Sequence, residues 1–219
     1  MNRESSFDRI ARLYQVLEYL TLGRWLERTR FHFLPQLHLA QNALILGDGD
    51  GRFLARLLDS NRCLRATAVD SSEVMLDLLS ARCKSHAERL RIIQDNALHY
   101  VPENNDRYDL VVTHFFLDCL TSKQVNQLIQ QIAPGLSPEA IWLVSDFHIP
   151  PGKLALPAKL VVRVLYLVFR VLTGLRVTQL PDHATALANA GFANIDRQQF
   201  LGGLLVTELW RATSPPNHT

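Results

Sequence analysis

Five short apolar runs, each stopping at a glycine or a polar side chain, constrain this chain more than any other feature. Ala43 to Leu46 runs into glycines. Leu64 to Val69 stops at Asp70, and Leu90 to Ile93 at Asp95. Tyr108 to Thr113 stops at His114, and Ala140 to Ser145 at Asp146. Helix-patterned segments lie between them, at Arg52 to Leu58, Ser72 to Cys83 and Lys123 to Ile132. Apolar strands that alternate with helices predict an α/β fold, a parallel sheet covered on both faces. Two later runs, near Phe192 to Phe200 and Leu204 to Trp210, are separated by Gly202 and Gly203. They predict a hairpin that closes the sheet with an antiparallel strand.

The rest of the sequence fits around that core. A length of 219 residues suits one large domain or a domain with a cap, and 47% apolar residues can fill a sizeable core. A net charge of +2 gives no electrostatic footprint for nucleic acid. The 3 cysteines, Cys63, Cys83 and Cys119, have neither an even count nor C-x-x-C spacing. Met1 to Phe7 has no apolar core of a secretory signal, so a reducing, cytoplasmic location is expected. The first forty residues read as helical. Ile10, Leu13, Tyr14 and Leu17 share one helix face, with Ser5 and Asp8 as a capping pair. Gly23 interrupts the pattern. A second helix is expected from about Arg24 to Phe33, stopped by Pro35. Ser214 to Thr219, with Pro215 and Pro216, has the composition of a disordered tail.

The first strand runs into Gly47-Asp48-Gly49-Asp50-Gly51, and a helix follows. In a doubly wound sheet the ligand lies at the carboxyl ends of the strands, and this turn meets it with backbone. A dinucleotide fingerprint would place its third glycine at position 52, which is Arg52. Asp48 and Asp50 also oppose a pyrophosphate at the helix start, while they suit a ligand bearing ammonium and sulfonium charge. Asp70, at the end of the second strand, can accept both hydroxyls of a ribose. Asp95, at the end of the third, can accept from an adenine amino group, with the backbone of Asn96 and Ala97 beside it. As bare helix caps, Asp70 and Asp95 would do less; their place at successive strand ends favours a ligand.

Together these segments resemble the class I S-adenosylmethionine-dependent methyltransferases. The likeness rests on ALILGDGDGRF (Ala43 to Phe53), AVDSSEVML (Ala68 to Leu76), QDNAL (Gln94 to Leu98), YDLVVTHFFLD (Tyr108 to Asp118) and IAPGLSPEAIWLVSDF (Ile132 to Phe147). FDRIARLY, Phe7 to Tyr14, is similar to the start of methyltransferases that act on quinones, lipids and other small molecules. The resemblance implies a Rossmann-like, seven-stranded, mostly parallel sheet with a helical cap, and S-adenosyl-L-methionine as cofactor, with S-adenosyl-L-homocysteine as product. It implies cofactor contacts from Gly47, Asp48, Gly49, Gly51, Asp70, Ser71, Met75, Asp95, Asn96, Ala97 and His114, and from Tyr14 in the cap. The family commonly carries an acid two residues before the first glycine. Here that residue is Ile45, and Asp48 or Asp50 is left to compensate.

Methyl transfer from a sulfonium is an in-line displacement that depends on alignment and exclusion of water. A base is needed where the acceptor arrives protonated. His114 occupies the motif position beside the transferred methyl, and two roles are open to it: general base, or packing against the cofactor. Asp118, four residues on, either orients His114, meets substrate or caps a helix. His148, next to Asp146, is a second candidate base. His183 follows Pro181 and Asp182 and reads as part of a helix start. Phe115 and Phe116 can wall an apolar pocket or simply fill the core. No His, Cys and Asp cluster has metal-ligand spacing.

Leu154 to Leu172 is mostly apolar but carries Lys159, Arg163 and Arg170 on one helical stripe, which argues against a membrane span. Pro157 falls in its first turn. The segment reads as a lid, a homodimer interface or a peripheral membrane contact. The expected organisation is one domain over 1–213. It comprises a helical cap (1–40), a cofactor-binding core (41–150), a helical lid (151–180), a C-terminal helix with hairpin (181–213), and a tail at 214–219. The expected reaction is methyl transfer to a small, partly apolar or aromatic acceptor, without nucleic acid. An RNA or protein methyltransferase, a nucleotide-dependent oxidoreductase and a non-catalytic cofactor-binding scaffold are the alternatives.

Overall fold

The computed structural model describes residues 22–103, 106–173, 177 and 179–213. The first expected helix, Tyr14 and the tail lie outside these residues.

Seven strands form one sheet: β1 (Asn42–Leu46), β2 (Arg65–Asp70), β3 (Leu90–Gln94), β4 (Tyr108–His114), β5 (Leu136–Phe147), β6 (Phe192–Phe200) and β7 (Leu205–Ala212). Their order is β3-β2-β1-β4-β5-β7-β6. The first five run parallel, and β7 enters antiparallel between β5 and β6. This is the doubly wound arrangement with its closing hairpin. β5 is longer than the expected Ala140 to Ser145. Its pairing shifts register between Tyr108 and Leu110, and Glu139 takes φ +60°. The bulge accommodates Pro138, which has no N–H for the ladder.

The helices are α1 (Gly23–Phe31), α2 (Arg52–Ser60), α3 (Glu73–Arg82), α4 (Ser122–Ile132), α5 (Ala155–Thr173) and α6 (His183–Asn189). Gly23, where the pattern is interrupted, begins α1 behind Leu22, one residue before the expected Arg24. A first helical residue leaves its N–H unpaired in any case, so glycine costs little there. Pro35 sits at the start of a short 3-10 turn, Leu34–Leu37. Ser72 caps α3 by accepting from the Met75 N–H, and Thr121 forms a reciprocal capping box with Gln124 on α4.

The alternating faces of the strands build two cores. On one face Leu44, Val111, Trp142 and Val144 pack under Val125, Leu128 and Ile129 of α4 and Leu187 of α6. On the other, Ile45, Val112 and Leu143 pack under Phe53 and Leu57 of α2 and Leu79 of α3. Ile45, where the family carries an acid, is part of this second core.

The hairpin is pinned by a buried carboxylate. Glu208 on β7 is 3% exposed. It accepts from His183 Nε2 at 2.8 Å and Trp210 Nε1 at 3.1 Å, and pairs with Arg197 Nε at 3.2 Å. These partners hold its carboxyl below the usual carboxylate range. Truncation would leave the half-buried His183 and the buried Trp210 without an acceptor. Glu208→Ala is therefore expected to lower the unfolding free energy by about 3 kcal/mol in urea titration.

Candidate active site

The loops at the carboxyl ends of the parallel strands meet along one edge. Backbone hydrogen bonds continue past the strands and fix their ends. The Gly47 N–H donates to the Val69 carbonyl at 3.1 Å, Asp95 N–H to Asp70 at 3.1 Å, and Phe115 N–H to Ser145 at 2.6 Å. The glycine turn, Asp70, Asp95, His114 and Asp146 thus belong to one rim.

Within the turn Gly47, Gly49 and Gly51 take φ of +66°, +64° and +76°. That region strains any residue with a Cβ. The three glycines differ in what faces them. A Cβ at Gly47 would collide with the Phe116 ring, and one at Gly51 would lie 2.8 Å from Leu79 Cγ. At Gly49 nothing lies within 4 Å. Packing thus excludes a side chain at Gly47 and Gly51, while among the described residues the space beside Gly49 is open.

The two acids of the turn separate in role. Asp50 is buried and pairs with Arg52 Nε at 2.9 Å and Arg82 Nη2 at 2.8 Å, while its carbonyl accepts from Arg82 Nε. It ties the turn to α3 and does not face a ligand. Asp48 accepts from the Leu54 N–H at 3.1 Å, so it caps the first turn of α2. Burial pushes its carboxyl up to about 7, against that hydrogen bond and the nearby Arg30 charge. Neither residue simply replaces the acid absent at Ile45.

Asp70 accepts from the Ser72 N–H at 2.9 Å, and burial raises its carboxyl. Ser72, not Asp70, is the cap of α3. Ser71 follows at the rim, and Met75 lies in the first turn of α3. Asp95 accepts from the Asn96 N–H at 2.7 Å, and Asn96 accepts from the Leu98 N–H, with Ala97 buried between them.

His114 ends β4 at 3% exposure, and neither ring nitrogen has a hydrogen-bond partner among the described residues. Its ring meets Phe53 edge-on at 4.4 Å. Burial, with Arg30 adding to it, holds the imidazole well below its ordinary value, so it is neutral at physiological pH. The chain bends sharply just beyond, where Phe115 takes φ +52°. Arg30 of α1 lies over the Phe115 ring at 5.2 Å, and Phe147 stands 5.6 Å from that ring. Sequence reasoning missed Arg30. Only its place on the expected second helix marked it.

Asp118 does not orient His114. Its N–H donates to Asp146 Oδ2 at 3.1 Å, which brings two buried acids together. Burial raises both carboxyls above the usual range. Tyr166 of α5 donates to the Asp118 carbonyl at 2.9 Å, which ties α5 to this rim. His148 follows β5; its Nδ1 donates to the Gly203 carbonyl at 3.0 Å and its N–H to the Leu204 carbonyl at 2.8 Å. His183 opens α6 beside its cap Asp182 and bonds Glu208. Among the described residues no cluster of three or more His, Cys, Asp or Glu could hold a metal.

Comparison with known proteins agrees with this architecture. Residues 43–139 match the family model of a methyltransferase domain. No curated protein sequence matches the chain. An O-methyltransferase family protein from Burkholderia thailandensis superposes with a TM-score of 0.74 at 15% identity, over 97% of this chain and 62% of that one. The N-methyltransferase NodS from Bradyrhizobium japonicum WM9, in complex with S-adenosyl-L-homocysteine, gives 0.63 at 18% identity, over 86% and 88%. The mitomycin 7-O-methyltransferase MmcR gives 0.63 at 20% identity, over 81% of this chain and about half, 50%, of its own. Residues 43–139 thus match a methyltransferase domain, and the seven-stranded sheet has the fold of these solved methyltransferases. The residues present fit S-adenosylmethionine as a cofactor: an open backbone at Gly49, and carboxylates at the ends of β2 and β3.

The raised carboxyls of Asp118 and Asp146 have a measurable consequence. As pH rises, the unfolded chain releases these protons first, near the ordinary carboxylate value. The folded chain then holds more protons, and stability falls with rising pH up to the folded value. In Asp146→Asn the amide does not titrate. The stability of the natural chain relative to this variant is expected to fall by about 1 kcal/mol or more between pH 5 and 7 in urea titration. A flat difference would show that burial does not raise these carboxyls.

Proposed function

We propose that this chain transfers a methyl group to a small, partly apolar or aromatic acceptor, with His114 as the group that receives the acceptor's proton. The observation that carries this reading is the buried, neutral, unpartnered imidazole at the end of β4. A buried polar group without a partner costs about 1–3 kcal/mol, and such a cost is characteristic of a site that waits for a ligand.

Asp70 would accept the ribose hydroxyls, and Asp95, with Asn96 and Ala97, would meet the adenine. Ser71 and Met75 would flank the adenosine. Gly49 would let the turn's backbone approach the methionine end, beside Asp48. When bound, S-adenosylmethionine supplies the electrophilic methyl carbon. The chain's own work is then to hold the acceptor in line, keep water out and take a proton. Phe115, Phe116 and Phe147 offer an apolar wall for a ring or alkyl group. The neutral imidazole accepts from a hydroxyl or ammonium without first having to lose a proton. Its low basicity is offset once a hydrogen bond from the acceptor replaces the missing partner. The O- and N-methyltransferase names of the similar structures support a small acceptor. The apolar cover of α5 supports a lipophilic one.

The decisive experiment is calorimetric titration with S-adenosylmethionine and S-adenosylhomocysteine, followed by turnover on phenols and amines. Asp70→Ala should weaken cofactor binding at least about tenfold. His114→Leu removes both unpaired nitrogens at similar volume. It should leave the fold as stable or more stable by up to about 1 kcal/mol, retain cofactor binding and lower turnover by about 10²–10⁴. Unchanged turnover would remove His114 from the mechanism, and no binding of either cofactor form would favour a scaffold.

A further inference from the structure

Helix α5 presents two opposite faces. Ala158, Val162 and Tyr166 are buried and pack with Leu204 against Phe147 and Leu201. The other face points outward and is aliphatic. Leu156, Leu160, Val164 and Leu167 are 78, 65, 52 and 61% exposed. At 100° per residue they fall within one stripe of less than a quarter turn. Leu154, just before the helix, is also half exposed. Singly exposed leucines are ordinary, but a continuous outward stripe on one helix is not.

The charges beside the stripe are all of one sign. Lys159 and Arg163 are exposed and fall on one edge of it, and the exposed Lys153 precedes the helix. From Phe147 through Pro181 the chain has no Asp or Glu, while it carries Lys153, Lys159, Arg163, Arg170 and Arg176. Among the described residues no helix is long and apolar enough to cross a membrane.

We propose that α5 docks this protein onto an anionic lipid surface, lying in the interface plane with the Leu156, Leu160, Val164 and Leu167 stripe among the acyl chains and Lys159 and Arg163 at the headgroups. Three observations select this partner. A convex aliphatic stripe offers no pocket and no polar side chain to specify a protein, and a lipid surface asks for neither. The acid-free basic margin complements phosphate headgroups. A second copy of the chain fits poorly, because a twofold contact through α5 would set Lys159 and Arg163 against the same unneutralised margin. The buried face stays engaged throughout, so docking needs no unfolding of α5.

Flotation of the full chain with vesicles tests this. Phosphatidylcholine mixed with phosphatidylglycerol should carry the protein, and phosphatidylcholine alone should not. Binding should vanish near 1 M salt, where the screening length falls to about 3 Å. Lys159→Glu and Arg163→Glu should each weaken partitioning about fivefold or more, and Leu160→Asp should abolish it. All three positions are exposed, so thermal unfolding midpoints should stay unchanged and show that the variants fold. Equal binding to both lipid mixtures, or to neither, would overturn the proposal. A concentration-dependent dimer in sedimentation velocity that Leu160→Asp dissolves would overturn it too, and assign the face to a second copy. Cofactor titration reads the methyltransferase site independently of these outcomes.

Discussion

The whole rim depends on the parallel register of β2, β1, β4 and β5. Parallel ladders place strand ends level with one another, and here the backbone bonding continues one step beyond the strands, from Gly47 to Val69, Asp95 to Asp70 and Phe115 to Ser145. Side chains far apart in sequence are thereby fixed as neighbours without any bond between them. The cost is that every group at the rim is crowded and partly dehydrated. Asp48, Asp70, Asp118 and Asp146 all hold their protons more tightly than free carboxyls, and burial is the leading cause each time. The register brings the groups together, and the low dielectric of the rim makes them chemically unusual.

That crowding explains how the chain tolerates so acidic a turn. Two carboxylates among three glycines would repel each other and any anion. One of them, Asp50, is neutralised by Arg52 and Arg82. The other, Asp48, is raised to about 7 and satisfied by the helix it caps. The turn reads as doubly negative in sequence and is closer to neutral in the fold. Arg30, placed by α1 within reach of Asp48 and His114, sets the local sign instead.

The sheet was legible because it rests on local patterns: apolar runs, their polar stops and the double glycine of the hairpin. Helix ends missed by only a residue or two, because capping residues such as Ser72 stand just outside the helix they close. The edge positions of Asp70, Asp95 and His114 were legible for the same reason. Pairings across the fold were not. Nothing near Asp118 announces Asp146, and the two meet only because β4 and β5 are neighbours. Glu208 finds His183 and Arg197 through the antiparallel insertion of β7, which no local pattern encodes. Likewise, the bulge at Pro138 and Glu139 lengthens β5 beyond what its apolar run suggests.

The place of β7 between β5 and β6 also bears on the order of assembly. β1 pairs with β2 and β2 with β3 at separations of 23 and 24 positions, so that edge of the sheet closes through short crossovers, whereas β1 meets β4 only across 67. β5 must wait for a strand some sixty residues later, as the Ser145 to Thr207 hydroxyl contact across 62 positions shows. Loop closure over that distance is entropically slow. The β3-β2-β1 edge of the sheet can thus form from local closures, while β5 stays open at its outer edge until β7 is in place.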